Sequence, residues 1–218
     1  MTRLAVFFPG IGYTQDKPLL YYSRRIAAEC GYDIRILSYS GFPEKIRGDR
    51  RKMEASFRIA LSQSEEMLSD LDLTSFEDVL FIGKSLGTIA AAKIASESTA
   101  RIRQIMYTPL EDTFLFQVRN AIAFTGAADP WVGMDNSRIS LLCRERDIPC
   151  FVIPGANHSL ESKDLMADLE HLQMVLRETR KFISEEPRKS SLQSIIRTNA
   201  SLKGLAFIYR KETLYGHA

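Results

Sequence analysis

The sequence predicts an α/β protein: a doubly wound, mostly parallel sheet of about six strands with helices on both faces. Three observations lead there. Short apolar runs alternate with longer amphipathic stretches along the chain. Most of the short runs end at Gly, Pro or a turn residue and are too short for helices. The order is strand then helix, repeated, and parallel strands need such crossovers, which leave helices on both faces of the sheet.

The elements follow in order. "LAVFF" at 4–8 is rich in aromatic and branched residues and reads as a buried strand. A helix over 18–30 follows, with Leu19, Tyr22, Ile26 and Cys30 at near-helical spacing. "DIRILSY" at 33–39 is the second strand, and Met53, Phe57, Ala60, Leu61, Met67, Leu68 and Leu71 mark a helix over 49–71. "DVLFI" at 78–82 and an alanine-rich helix over 86–98 come next. "QIMYT" at 104–108 leads into a short link, 109–120, with room for one or two helical turns. "AIAFT" at 121–125, a helix over 136–147 carrying Ile139, Leu142 and Cys143, and "CFVIP" at 150–154 complete the alternation. The last good helix spans 164–184, with Leu165, Leu169, Leu172, Val175, Leu176 and Ile183 on its apolar stripe. "EEPRKSS" at 185–191 is the one boundary, dividing a domain over 1–186 from a tail over 187–218 of unknown role. In that tail, 191–198 could form a helix and "LAFIY" at 205–209 a strand.

Composition excludes several classes. The chain has 218 residues, enough to bury a sizeable core, and a formal net charge of +2 from 29 basic and 27 acidic residues. That balance gives no reason to expect nucleic acid as a partner, and "RGDRRK" at 47–52 reads as a solvated turn before a helix. Cys30, Cys143 and Cys150 are scattered, odd in number and without metal spacing, so a reduced, cytoplasmic protein without a metal is expected. The N-terminal apolar run meets Pro9 and Gly10 and lacks the features of a signal peptide, and no run approaches membrane-spanning length.

One stretch carries chemistry. "LFIGKSLGTIAAAKIA" at 80–95 places Ser85 between Gly83 and Gly87, with a strand before and a helix after. A serine in that tight turn is held at the carboxyl edge of the sheet, where sites are built, and the crowded turn needs neighbours without a Cβ. A serine hydroxyl is a poor nucleophile at neutral pH, so it needs a base, and the base needs an orienting acid. Of the three histidines, His217 is next to last, His171 sits inside the final helix, and His158 lies in "PGANHSL" directly after a strand. Asp129 in "TGAADPWV" also directly follows a strand. Asp112 and Asp135 lie in the same interval, between Ser85 and His158. Asp129 is preferred over Asp112 because its four-residue turn brings it toward the loop of His158, and Asp135 reads as a helix N-cap. Backbone donors for a developing oxyanion would be the amide of Leu86, at a helix start, and that of Ile11 in "FFPGIGYT", with Gly12 as the alternative. Tyr13, Phe114, Phe116 and Trp131 are candidates to line a substrate pocket.

"PGIG", "GKSLG", "GAADPWV" and "GANHSL" together resemble the α/β-hydrolase superfamily over roughly residues 3–184, in particular the small, lidless bacterial hydrolases related to dienelactone hydrolases. The resemblance implies a trimmed α/β-hydrolase fold, because the chain starts at the strand bearing the oxyanion loop. It also implies a serine hydrolase, an esterase or thioesterase working on a small-molecule ester or thioester through an acyl-enzyme, as monomer or homodimer, with no cofactor. Two departures stand out. Pro9 occupies a position where many members carry histidine, and dienelactone hydrolases proper use cysteine where this chain has Ser85. A non-catalytic binding protein on the same scaffold, or an acyltransferase, would look similar in sequence.

Overall fold

A computed structural model of the chain describes residues 2–132 and 137–185. Asp135, His217 and the helix and strand expected in the tail lie outside the described residues.

The described chain runs β1 (Arg3–Phe8), α1 (Pro18–Glu29), β2 (Asp33–Ile36), α2 (Arg50–Leu68), β3 (Asp78–Lys84), α3 (Leu86–Glu97), β4 (Ile102–Tyr107), β5 (Ala121–Gly126), α4 (Ser137–Arg144), β6 (Cys150–Ile153) and α5 (Leu165–Ser184). The expected short turn in the 109–120 link is a 3-10 segment, Glu111–Leu115, and a second one, Leu73–Ser75, was not foreseen. β2 is shorter than its apolar run, because only Leu4–Phe7 of β1 pairs with it before the chain leaves the edge. β3 is longer than its run and carries its pairing through Gly83 and Lys84.

All six strands are parallel, in the order β2-β1-β3-β4-β5-β6. The chain therefore starts near the middle, steps outward to β2, returns across β1 to β3 and then winds the other way. Strand alternation sorts the two faces. Ala5, Phe7, Leu80, Ile82, Ile105, Tyr107, Ile122 and Phe124 pack with residues of α1 and α5 on one face. Leu4, Val6, Phe8, Val79, Phe81, Met106 and Ala123 turn to the other, where α2, α3 and α4 lie. Every residue of β3 is buried, as expected of a central strand covered on both faces. The alanines of α3 and the buried Ser56, Ala60 and Ser64 of α2 let those helices approach closely.

Two polar clusters sit within this frame. The Tyr107 hydroxyl bonds Ser23 Oγ at 2.8 Å and Thr179 Oγ1 at 2.6 Å, tying β4 to α1 and α5. At the opposite end of the sheet, Arg103 grips Asp78 through Nε at 3.1 Å and Nη2 at 2.7 Å. The same guanidinium donates to the Phe182 carbonyl at 2.5 Å and the Ile183 carbonyl at 3.2 Å, capping the last turn of α5. Tyr32 donates to Asp78 and accepts from Arg103, which closes the network.

Candidate active site

The chain winds in opposite directions from β1 and from β3, so the loops leaving these neighbouring strands part and open a crevice at their carboxyl ends. Doubly wound sheets bind ligands at such a switch point. Both loops belong to the site. Residues 10–13 form a tight turn after β1, with Gly10 N–H donating to the Tyr13 carbonyl at 3.2 Å and Tyr13 N–H returning to the Gly10 carbonyl at 3.3 Å. Ser85 follows β3.

Ser85 has φ 53° and ψ −122°, a conformation that costs a residue with a Cβ. It is held there from both sides. Its N–H donates to the Tyr107 carbonyl at 2.9 Å, and its own carbonyl accepts from Thr88 N–H at 2.8 Å and Thr88 Oγ1 at 2.6 Å. Thr88 Oγ1 is braced in turn by Thr113 Oγ1 at 2.7 Å. Gly87 shows why the turn needs glycine: a Cβ there would lie 2.2 Å from the Phe8 carbonyl oxygen and 2.5 Å from that of Pro9. The first turn of α3 therefore rests directly on the backbone leaving β1, and the 10–13 turn is carried against the serine. Leu86 is the first residue of α3, and the first amides of a helix have no carbonyl partner within it. Ile11 lies in the 10–13 turn, whose Gly10 comes against the Ser85 side chain: a Cβ on Gly10 would lie 3.2 Å from the Ser85 Cβ.

Two further loops meet the serine. After β5, Ala127 N–H donates to the Ile153 carbonyl and Ala128 N–H to the Ala156 carbonyl, both at 2.8 Å. The two loops touch backbone to backbone at Gly126, where a Cβ would lie 2.2 Å from the Ala156 carbonyl oxygen. This zipper sets Asp129 beside His158. Asp129 is 1% exposed, and its Oδ1 accepts from Trp131 N–H at 2.9 Å. Its Oδ2 lies 2.7 Å from His158 Nδ1. His158 Nε2 lies 2.7 Å from Ser85 Oγ. The Asn157 side chain accepts from Ser159 N–H at 2.7 Å, fixing the turn that presents the imidazole. Burial holds the His158 pKa below its ordinary value, with the Asp129 hydrogen bond pulling the other way and the Lys84 charge adding to the depression. The two contacts fit a neutral imidazole that donates from Nδ1 to Asp129 and accepts from Ser85 at Nε2, a tautomer able to take up a proton at Nε2.

The structure thus brings Ser85, His158 and Asp129 into one hydrogen-bonded chain, with Leu86 directly after the serine and the turn that carries Ile11 against it through Gly10. Asp112 stands apart on the exposed side of the Glu111–Leu115 turn. The four aromatic candidates divide. The Trp131 ring stacks on the His158 ring, centroids 5.3 Å apart. Phe116 is half-buried beside Phe57, centroids 6.1 Å apart. Phe114 is 5% exposed and packs in the core under Arg146. Tyr13 is 7% exposed, and its hydroxyl accepts from Leu19 N–H at 3.2 Å. Both belong to the interior, since an aromatic ring in a loop gains most by folding back on the core.

No protein-family model matches the chain, and no curated relative matches its sequence. Solved structures do match. Est1E from Butyrivibrio proteoclasticus aligns with 84% of this chain and 87% of its own at 12% identity, TM-score 0.58. A candidate hydrolase of the alpha/beta superfamily from Xanthomonas campestris pv. campestris aligns with 84% of this chain and 96% of its own at 14% identity, TM-score 0.53. A lidless α/β serine hydrolase from Xanthomonas campestris aligns with 85% of this chain and 84% of its own at 11% identity, TM-score 0.51. The chain has the α/β-hydrolase fold. In that fold the order of strand ends, with Ser85 after β3, Asp129 after β5 and His158 after β6, places the three groups on loops at one edge of the sheet. Among the described residues no group of His, Cys, Asp and Glu side chains could hold a metal ion, and no helix is long and apolar enough to cross a membrane.

Proposed function

We propose that this chain is a serine hydrolase of small carboxylic esters or thioesters. The observation that carries the reading is the unbroken relay Asp129–His158–Ser85, with both links at 2.7 Å and the serine on a strained elbow. In the proposed reaction Ser85 Oγ bonds to the acyl carbon while its proton passes to His158 Nε2. Asp129 stabilises the imidazolium through Nδ1–H. The carbonyl oxygen takes up negative charge facing the amides of Leu86 and Ile11. Collapse breaks the bond to the alcohol or thiol, which leaves with the proton from His158. Water then enters, gives its proton to His158, and displaces the acyl group from Ser85 by the same steps in reverse. Trp131, stacked on the His158 ring, would contact the acyl or alcohol part. The serine-hydrolase and hydrolase descriptions of the structural neighbours support the reading.

A fluorophosphonate probe tests for an activated serine without knowledge of the substrate. Labelling of the wild type at Ser85, lost in Ser85→Ala together with hydrolysis of p-nitrophenyl acetate, is the expected result. An unlabelled, correctly folded wild type would refute it and favour a binding protein on this scaffold.

A further inference from the structure

Lys84 stands beside Ser85 in the elbow, yet the relay does not use it. Its side chain is buried, 1% exposed. Nζ donates to Thr108 Oγ1 at 2.6 Å and lies 4.8 Å from the centroid of the Tyr13 ring. A buried ammonium is costly unless opposite charge and hydrogen bonds compensate it. Two carboxylates supply that charge, Asp129 from the loop after β5 and Glu161 from the segment before α5. Against them, burial pulls the Lys84 pKa down to about 7. The remaining titratable neighbours are His158, whose proton the Lys84 charge opposes, and Tyr13, whose burial raises it and which also feels Glu161 and Tyr107. Thr108 is itself fixed, at φ 44°, with its N–H on the Phe124 carbonyl at 2.7 Å.

We propose that Lys84 is a positioning residue of the Ser85 site: its buried side chain ties the elbow to the end of β4 and to the turn after β1, and its ammonium acts on the Asp129–His158 pair beside it. This deepens the serine-hydrolase reading and rests on it for the rate readout. Lys84 and His158 are two proton acceptors in the field of one Asp129. At acid pH Lys84 carries its proton and keeps the imidazole neutral. As Lys84 gives up that proton near neutrality, the imidazolium formed during Ser85 attack faces Asp129 alone and is better stabilised. The wild-type rate should therefore climb in two steps, the first set by His158 and the second by Lys84. Without Lys84 there is one step, and it lies above the wild type's first.

The test is kcat/KM for p-nitrophenyl acetate across about pH 5 to 9 in wild type, Lys84→Met and Lys84→Gln, with an NMR titration of the His158 ring in each. Both variants should show a single acid limb, moved upward by about half a unit to one unit, and a matching shift of the His158 titration. At a fixed pH below that limb the neutral His158 ring should be about three- to tenfold less populated in the variants than in wild type. Variant profiles that are the wild type's scaled down, with both steps kept and the His158 titration unmoved, overturn the proposal and leave a structural role only. Should neither variant fold, 13C-lysine titration of the wild type decides: a lysine titrating near neutrality is expected, and none doing so overturns the proposal. A wild type with no esterase activity and no fluorophosphonate labelling would end the hydrolase reading, while the His158 titrations would still decide whether Lys84 opposes its proton.

Discussion

Replacing Ser85 by glycine separates the two demands placed on that residue. At φ 53° and ψ −122° the backbone lies where a Cβ is crowded, and strain of this kind costs about 1–3 kcal/mol. Ser85→Ala keeps the Cβ and therefore the strain, whereas Ser85→Gly removes it. Glycine also enlarges the unfolded ensemble, which offsets about 0.4–1 kcal/mol of the relief. The hydroxyl bond to His158 is lost in both variants and cancels from the comparison. Ser85→Gly should therefore be more stable than Ser85→Ala by about 1 kcal/mol, which in a domain of this size is about 2–4 °C in Tm. Side-by-side calorimetry measures this, with fluorophosphonate labelling expected to be absent from both. A glycine variant that melts at or below the alanine variant would show that the elbow stores no strain, and the account of how Oγ is presented would fail with it.

Asp129→Asn should lower kcat by a factor on the order of 10⁴, because the imidazole loses both its fixed tautomer and its counter-charge, while Asp112→Asn stays near wild type. Steady-state kinetics on both variants decides, and the reverse pattern would move the site to the 109–116 loop. Because burial lowers the His158 pKa, the wild-type ring itself, followed by NMR, should take up its proton only below 6.5. A His158 ring that titrates above 6.5 in the wild type would contradict the burial argument. Arg103→Met leaves Asp78 buried without its cation and should cost about 3–5 kcal/mol in urea unfolding. The double variant Arg103→Met/Asp78→Asn should recover part of that loss, and a single variant as stable as wild type would show that the pair is dispensable.

The parts of this protein legible in its sequence are those written locally. Strands β1, β3, β4 and β5 announce themselves as short apolar runs, because both faces of a central strand are covered and no polar alternation is left. Ser85, Asp129 and His158 could be singled out because each directly follows such a run, and parallel strands deliver all their carboxyl ends to one edge. What the sequence withheld depends on contacts between distant segments. Tyr13 and Phe114 looked like pocket residues, yet a loop aromatic gives no local sign of whether it faces solvent or core. The reach of β3 through Lys84 was missed because a lysine ends an apolar run on paper, whereas here it is buried against Tyr13 and Thr108. Gly126 stands just past the run at 121–125, with nothing local to mark it. Its lack of a side chain matters only because the Ala156 carbonyl crosses it.

That last contact bears on how the site is built. Neighbours in sequence shape each turn, as Asn157 does for His158 and Trp131 N–H for Asp129, but they do not bring the three groups together. Each is placed by backbone pressed on backbone between loops: α3 on the exit of β1 at Gly87, and the β5 exit on the β6 exit at Gly126. Such contacts admit no intervening side chain, so the loops cannot slide past one another without separating. The geometry of the relay is therefore tied to the register of the sheet, in which β5 pairs with β6 through Gly126 and Ile153. The strain at Ser85 is held by the same means, through the Tyr107 carbonyl on the neighbouring strand and the first turn of α3. It follows that substitutions loosening the β5–β6 edge should disturb the Asp129–His158 link before they disturb Ser85, which rests on the centre of the sheet.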